Sequence, residues 1–159
     1  PAVSDDEAKQ MAKQCEVDVV ERDAEFLFKI MERHKDNGFG ELTVNEFSTL
    51  LSMMYNMGQT GFKCARGAGL RNGELFNDPD EPGYGCSSSG YSSIYKIIQD
   101  TNLTENEKQL VIGERIKDFK VNSQGSADGA LKSRRKRESE QYLSDSPINP
   151  NEPLVNQTI

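Results

Sequence analysis

The residues from Glu25 to Leu51 constrain the fold of this chain most strongly. Apolar residues recur there at three- and four-residue intervals on both sides of a segment that contains Gly38 and Gly40. This spacing places apolar side chains on one face of each of two helices, and glycine permits the tight turn that must join them. The segment is therefore predicted to form a helix, a turn and a second helix. Its apolar positions are Leu27, Ile30, Met31, Phe47, Leu50, Leu51 and Met54.

Within this segment, the twelve residues from Lys35 to Glu46 are spaced like a calcium-binding loop. Such a loop places oxygen donors at its first, third, fifth and twelfth positions and a glycine at its sixth. Gly40 falls at the sixth position and Glu46 at the twelfth. The stretch resembles an EF-hand, and this resemblance implies an all-α fold built from a pair of helix–loop–helix units. An ordinary helix–turn–helix, whose glycines only serve the turn, would show the same pattern.

The resemblance also implies which residues would face a calcium ion. They are Asn37, the Glu41 carbonyl, Thr43 through a water molecule, and Glu46. Lys35 and Phe39 stand where the family has oxygen donors, and a lysine ammonium group repels a divalent cation. We expect weak calcium binding or none, and no other cofactor. A pair between Lys35 and Glu46 would instead lock the loop without an ion.

EF-hands come in pairs, and a second copy of the start of the outgoing helix is visible. Leu42-Thr-Val-Asn-Glu46 recurs as Leu103-Thr-Glu-Asn-Glu107, which predicts a second hand at about residues 91–119. Only four residues separate Leu103 from the preceding apolar segment, so this hand lacks the first half of a calcium loop. A capping box, in which Thr104 and Glu107 satisfy backbone groups at a helix start, explains the second copy equally well.

The helix ends follow from capping residues and glycine. Ser4 and Glu7 predict the start of a short helix that ends near Cys15, and Asp18 predicts the start of the next. The outgoing helix of the first hand should run from about residue 44 to 57 and stop at Gly58. Its last turns carry three methionines, which either fill the core or offer an adaptable surface to a partner helix. They are Met53, Met54 and Met57.

Residues 58–90 are rich in glycine, serine and proline and predict an irregular insertion. Cys64 and Cys86 bracket it and would close it with a disulfide in an oxidising compartment, whereas in the cytosol they would stay reduced. His34 is the one histidine and there is no Cys-x-x-Cys spacing, so a zinc site is not expected. His34 is expected to be a partly buried ring.

Residues 120–159 contain few apolar residues and are predicted to form an extended or disordered polar tail beyond a helical domain at 1–119. A basic cluster in this tail is consistent with an acidic partner or membrane surface, a nuclear address, a processing site, or a solvated run of charges with no specific role. It consists of Arg134, Arg135, Lys136 and Arg137. Asn102 and Asn156 begin Asn-x-Thr triplets, which accept glycans only in a secreted chain.

Composition narrows the function classes. A net charge of −7 and a pI near 4.8 argue against a nucleic-acid binder. No apolar run is long enough to cross a bilayer, so we expect a soluble protein of the cytoplasm or an organelle, with secretion a further alternative. No arrangement of nucleophile and base is evident, so an enzyme is not expected. The sequence favours a non-catalytic binding or scaffold subunit of a larger assembly. The alternatives are a calcium sensor that binds a target helix, and a small secreted, disulfide-closed protein.

Overall fold

The structure, a computed structural model, describes residues 4–65, 70–72, 84–86, 90–119 and 129–144. Within these ranges the chain is mostly helical, which confirms the predicted all-α class. The helices are α1 (Asp5–Arg33), α2 (Val44–Lys63), α3 (Ser93–Gln99), α4 (Glu105–Arg115) and α5 (Gly129–Leu143). Two short strands, β1 (Leu70–Asn72) and β2 (Tyr84–Cys86), and two 3-10 turns, Lys35–Asn37 and Ile116–Asp118, complete the description. None of the helices in these ranges has the length and apolar character of a membrane span.

Helix α1 is longer than predicted. It starts where expected, because the Ser4 hydroxyl accepts a hydrogen bond from the Glu7 N–H at 3.2 Å. The predicted break between Cys15 and Asp18 does not occur. No glycine or proline interrupts residues 5–33, and the Asp18 carboxylate accepts a bond from the Gln14 amide at 2.9 Å within the helix instead of capping a new one.

Helix α2 does not stop at Gly58 as predicted. Gly58 has a φ of 78°, in the left-handed region, and interrupts the helical conformation there. The helix then resumes and ends at Lys63, so the predicted insertion begins later than residue 58. The glycine therefore bends this helix and does not terminate it.

The core lies between the helices and joins the two predicted hairpins. Every helix contributes to it, including α5 through Tyr142. Its buried apolar members are Phe26, Leu27, Ile30, Phe39, Leu50, Met53, Met54, Phe62, Ile94, Tyr95, Ile98, Ile112, Ile116 and Tyr142. The buried apolar side chains of this region are Ile112 in α4 and Ile116 in the turn that follows it, whereas Leu110 and Val111 are only partly buried.

Residues 129–144 correct the prediction of a separate extended tail. Helix α5 packs against α2, α4 and the turn after α4. Tyr142 is completely buried, and Leu143 lies so close to Gly113 that a Cβ atom there would clash with the Leu143 side chain. Sequence reasoning missed this helix because much of the surface that it buries is polar: Arg135, Glu138 and Ser139 are buried beside Tyr142. Residues 145–159 of the predicted tail lie outside the described residues.

The described part of the predicted insertion contains ordered pairing. Strands β1 and β2 are antiparallel, with Leu70 opposite Cys86 and Asn72 opposite Tyr84. Cys64 and Cys86 form a disulfide with a Cα–Cα distance of 5.5 Å, and both residues are buried. Cys64 also pairs with Tyr91 in an isolated antiparallel bridge. The rest of the insertion, at 66–69, 73–83 and 87–89, lies outside the described residues.

Candidate functional site

The loop between α1 and α2 is the candidate metal loop, and its carboxylate at the twelfth position serves the start of α2. The Thr43 hydroxyl accepts a hydrogen bond from the Glu46 N–H at 3.1 Å. In return, the Glu46 carboxylate accepts one from the Thr43 N–H at 2.8 Å. This reciprocal capping box satisfies backbone donors that the first helical turn leaves open. Glu46 is 3% exposed, so its carboxylate is turned away from solvent.

Lys35 does not pair with Glu46, so the hypothesis of a lock between these two residues is wrong. The Lys35 ammonium group lies 2.7 Å from the Glu32 carboxylate, three residues earlier along the chain. This contact raises the pKa of Lys35, and both side chains are more than half exposed. An exposed pair of this kind contributes little to stability. The conformation of the loop must therefore come from other contacts.

The side chain at the third loop position, Asn37, faces His34. The Asn37 amide nitrogen lies 3.2 Å from His34 Nδ1. On the other side of the ring, Nε2 lies 3.4 Å from the Tyr95 hydroxyl, and the two rings meet edge to face with centroids 5.8 Å apart. His34 is more fully buried than the predicted partly buried ring, and it connects the loop to α3. The expected calcium ligand Asn37 thus belongs to an internal polar contact.

Phe39 at the fifth position is the apolar anchor of the loop. Its side chain is completely buried in the core, while Gly38 just before it has a φ of 85° and reverses the chain. Glu41 is exposed, and Thr43 is engaged as the helix cap. Among the described residues, no group of three or more histidine, cysteine, aspartate or glutamate side chains is arranged to hold a metal ion.

The two hairpins meet at their connections. Gly38 lies against the first residue of α4, and a Cβ atom at Gly38 would be 3.2 Å from Glu105 Cα. Helix α4 starts with the second capping box, in which Thr104 accepts from the Glu107 N–H at 3.2 Å. The repeated sequence therefore marks the same local structure twice, a threonine cap at the start of an outgoing helix.

Lys108 holds the second connection together, and sequence reasoning missed it. Its side chain is completely buried, and its ammonium group donates to the carbonyl oxygens of Ile98 at 2.7 Å and Asp100 at 2.6 Å. These carbonyls lie at the C-terminal end of α3, where helical backbone oxygens lack partners. Burial lowers the pKa of Lys108. A lysine so close to the positive N-terminal end of α4 was the available signal, because acidic residues are favoured there.

The methionines predicted to contact a partner are mostly internal. Met53 and Met54 are completely buried, and Met57 is partly buried against the core. All three belong to the core or pack against it, and α2 contacts α1, α3 and α5. A methionine surface for a partner helix is therefore not presented by Met53 or Met54.

The basic cluster predicted to contact a partner lies on α5. Arg135 is buried, where it pairs with Glu138 and donates to the Phe119 carbonyl at 2.9 Å. Arg134 is partly buried, whereas Lys136 and Arg137 are exposed. Proteases bind extended chain, so a helix anchored by a buried arginine disfavours the processing-site hypothesis for the folded protein. Only the exposed members remain available to a partner.

An exposed apolar face, which the sequence prediction did not identify, runs along α1 and α2. We call it the α1–α2 apolar face. Its members recur every four residues on each helix: Val20, Ala24 and Phe28 on α1, and Phe47, Leu51 and Tyr55 on α2. Val20, Phe28 and Tyr55 are exposed, and the other three are partly buried. The two rows meet where the rings of Phe28 and Phe47 lie 4.9 Å apart, although Phe28 is 57% exposed. The four-residue spacing was visible in the sequence, but it could not be distinguished there from a second buried side.

Comparisons with known protein families, with curated proteins and with solved structures gave no match to this chain. The functional argument therefore depends on the geometry of the chain itself.

Proposed function

We propose that this chain is a non-catalytic binding or scaffold subunit. In this proposal it is an EF-hand-like pair of hairpins that keeps one conformation without calcium and docks a protein partner on the α1–α2 apolar face. The observation that carries the proposal is the internal engagement of the candidate loop. Asn37 faces His34, Glu46 caps α2, and Phe39 is buried in the core.

A calcium ion would compete with the internal contacts of the loop for the same side chains. To bind calcium, the loop would have to withdraw Glu46 from the cap and Asn37 from His34, and no fifth-position oxygen would be gained. Calcium takes six to eight oxygen ligands, so the remaining donors leave its coordination incomplete. The same contacts that remove the ligands also fix the loop, which supports a domain that needs no ion to keep its shape.

The α1–α2 apolar face supports the binding role. Exposed apolar residues that lie together mark interaction sites more often than single ones do, and aromatic residues are enriched in the centres of such sites. Phe28 and Phe47 supply an aromatic pair there. Asp18, Glu21, Arg22 and Glu25 on α1 line a surface groove, in which three carboxylates outnumber one guanidinium group. We therefore expect a protein partner with an apolar face and basic side chains beside it, since complementary charge guides such contacts.

A neutral hydrophobic dye tests this proposal against the calcium-sensor alternative. Nile red emission should rise on mixing with the chain in calcium-free buffer, and added calcium should leave it unchanged. Phe28→Asp should reduce the emission, because it places a charge at the centre of the apolar face. Lys29→Asp changes the neighbouring exposed residue and should not. A sensor would behave differently: emission that appears only when calcium is added would contradict the proposal.

A second candidate, a small secreted protein closed by a disulfide, is favoured by the bond between Cys64 and Cys86. Disulfides persist in oxidising compartments and are rare in the cytosol. The two candidates are compatible, since a secreted subunit can also bind a partner. Thiol labelling of the denatured chain separates them from a cytosolic protein. One reactive thiol, from Cys15, is expected if the bond is present, and three are expected if the chain is reduced.

A further inference from the structure

The connection between α3 and α4 contains a glycosylation triplet in an accessible position. Asn102, Leu103 and Thr104 form the triplet, and both Asn102 and Thr104 are exposed. The Asn102 backbone N–H donates to the Asp100 carboxylate at 2.7 Å, which fixes the turn. Within the described residues, the Asn102 side-chain amide makes no hydrogen bond. The acceptor nitrogen therefore faces solvent at a turn, which is the setting that bulky N-linked sugars require.

The disulfide supplies a second, independent observation. Cys64 and Cys86 are joined and buried at the end of α2, so the bond belongs to the folded core of this region. Such bonds form in oxidising compartments, which in eukaryotic cells include the lumen where N-linked sugars are attached. Either feature alone is weak, because the triplet arises by chance and thiols also pair adventitiously. Together they support an exposed acceptor in a chain that folds where such acceptors are modified.

We infer that Asn102 carries an N-linked glycan, added in the oxidising lumen in which Cys64 and Cys86 pair. The donor would be an oligosaccharide bound to a lipid diphosphate. Asn102 Nδ2 forms a bond to the anomeric carbon of the first sugar, and the bond from that carbon to the diphosphate oxygen breaks. The amide loses one proton, and the lipid diphosphate is the leaving group. This inference is independent of the proposed binding role and rests on the second candidate, a secreted chain closed by the bond between Cys64 and Cys86.

The folded structure accommodates the product. Glu105 and Asn106, which follow the triplet, are exposed, so a sugar on Asn102 extends into solvent from the start of α4. Thr104 also keeps its structural role, because its hydroxyl accepts from the Glu107 N–H in the helix cap. The triplet threonine and the helix cap are thus the same residue, and variants can separate the two roles.

The test uses the full chain behind a secretion leader in a eukaryotic cell line, in an Asn156→Gln background that removes the other triplet. We expect the secreted chain to lose mass on treatment with peptide N-glycosidase, and peptide mass spectrometry to locate the modified position at residue 102. Asn102→Gln should abolish the mass loss, and Asn106→Gln, which changes an exposed asparagine outside any triplet, should not.

Two changes at Thr104 separate glycosylation from folding. Thr104→Ser retains both the triplet and a capping hydroxyl, so the glycan should remain. Thr104→Asn retains a good capping side chain and destroys the triplet, so the glycan should be lost while the fold is kept. The inference is overturned if the Asn156→Gln chain is secreted with its disulfide formed and Asn102 unmodified. It is equally overturned if Cys64 and Cys86 are recovered as free thiols.

Discussion

The two hairpins start their outgoing helices in the same way but hold their connections differently. Thr43 and Thr104 each cap a helix and each receive a returning glutamate. Between α1 and α2, a 3-10 turn, a left-handed glycine and the buried ring of Phe39 occupy the connection. Between α3 and α4 the connection is a short bend, held by the buried ammonium group of Lys108. Similar sequence at a helix start therefore does not imply the same loop.

The difference shows which contacts hold each connection in its folded conformation. The first connection is anchored by apolar burial, and the second by hydrogen bonds from a buried charge to backbone carbonyls. These two kinds of contact respond differently to substitution and to pH. We therefore expect substitutions in the two connections to lower the free energy of unfolding by different amounts, with the largest loss at the apolar anchor of the first.

Phe39→Ala should destabilise the protein most, because it removes a completely buried ring from the anchor of the first connection. We expect the free energy of unfolding to fall by about 4 kcal/mol, the usual cost of such a truncation. Urea denaturation followed by circular dichroism measures it. Phe28→Ala is the matched control, since that ring is 57% exposed and should cost much less. Equal costs for the two substitutions would show that Phe39 is no anchor.

Lys108→Met should cause the next largest loss of stability, because methionine keeps the long apolar stem but donates no hydrogen bond. The Ile98 and Asp100 carbonyls would lose their partner. We expect a loss of about 3 kcal/mol in the free energy of unfolding, consistent with hydrogen bonds from a charged group. Lys117→Met, in an exposed pair with Glu114, should be nearly neutral. An unchanged stability for Lys108→Met would remove the proposed role of this lysine.

The difference in stability between the wild type and Lys108→Met should depend on pH. Burial lowers the pKa of Lys108 in the folded protein below its ordinary value of 10.5. As pH rises toward 10.5, the unfolded chain holds this proton longer than the folded one, so the wild type gains stability relative to Lys108→Met. The deficit of the variant should therefore widen in mildly alkaline buffer. A deficit that narrows with rising pH would mean that the sign of the pKa shift is wrong.

The two threonine caps should have similar, smaller effects. Thr43→Ala and Thr104→Ala each remove a hydroxyl that accepts a backbone N–H at a helix start. We expect each to reduce the free energy of unfolding by about 1 kcal/mol, the usual effect of losing an N-cap. Thermal unfolding of the two single variants and the double variant measures this. A loss confined to one variant would show that the two helix starts are not equivalent.

The smallest effect should come from Lys35→Gln. Its partner Glu32 lies three residues earlier, near the end of α1, and both side chains are exposed. Among the described contacts, neither residue touches Glu46. We expect no measurable shift of the denaturation midpoint, since exposed pairs contribute little. A clear destabilisation would restore a role for Lys35 in holding the first loop.

The parts of the fold that could be predicted from the sequence are those held by contacts between neighbouring residues. Capping at Ser4 and Thr104 was predicted from a few neighbouring residues, and both caps are present. Thr43, which was expected to face a calcium ion through water, caps α2 by the same local rule. The position of α5 could not be predicted, because it depends on long-range polar contacts such as Ser139 to the Gly113 carbonyl at 2.7 Å.

The candidate site also contains some features that the sequence could predict and others that it could not. The loop spacing placed Phe39 where the family has an oxygen donor, but it did not predict that this ring is buried in the core. His34 was predicted to be a partly buried ring, and it is almost completely buried. The actual partners of Lys35 and Asn37 were not predictable, because they depend on side-chain directions around the turn. The exposure of the α1–α2 apolar face was hidden for a related reason. A row of apolar residues reveals a helix face, but not whether another element covers it.

The most direct test of the central claim is a calorimetric titration of calcium into the purified chain, with Glu46→Gln measured alongside. Glutamine also completes a capping box, so this variant removes the carboxylate charge while keeping the helix start. We predict no saturable heat for either protein up to millimolar calcium. Saturable heat at micromolar calcium that disappears in Glu46→Gln would contradict the account and establish the first hairpin as a working calcium site.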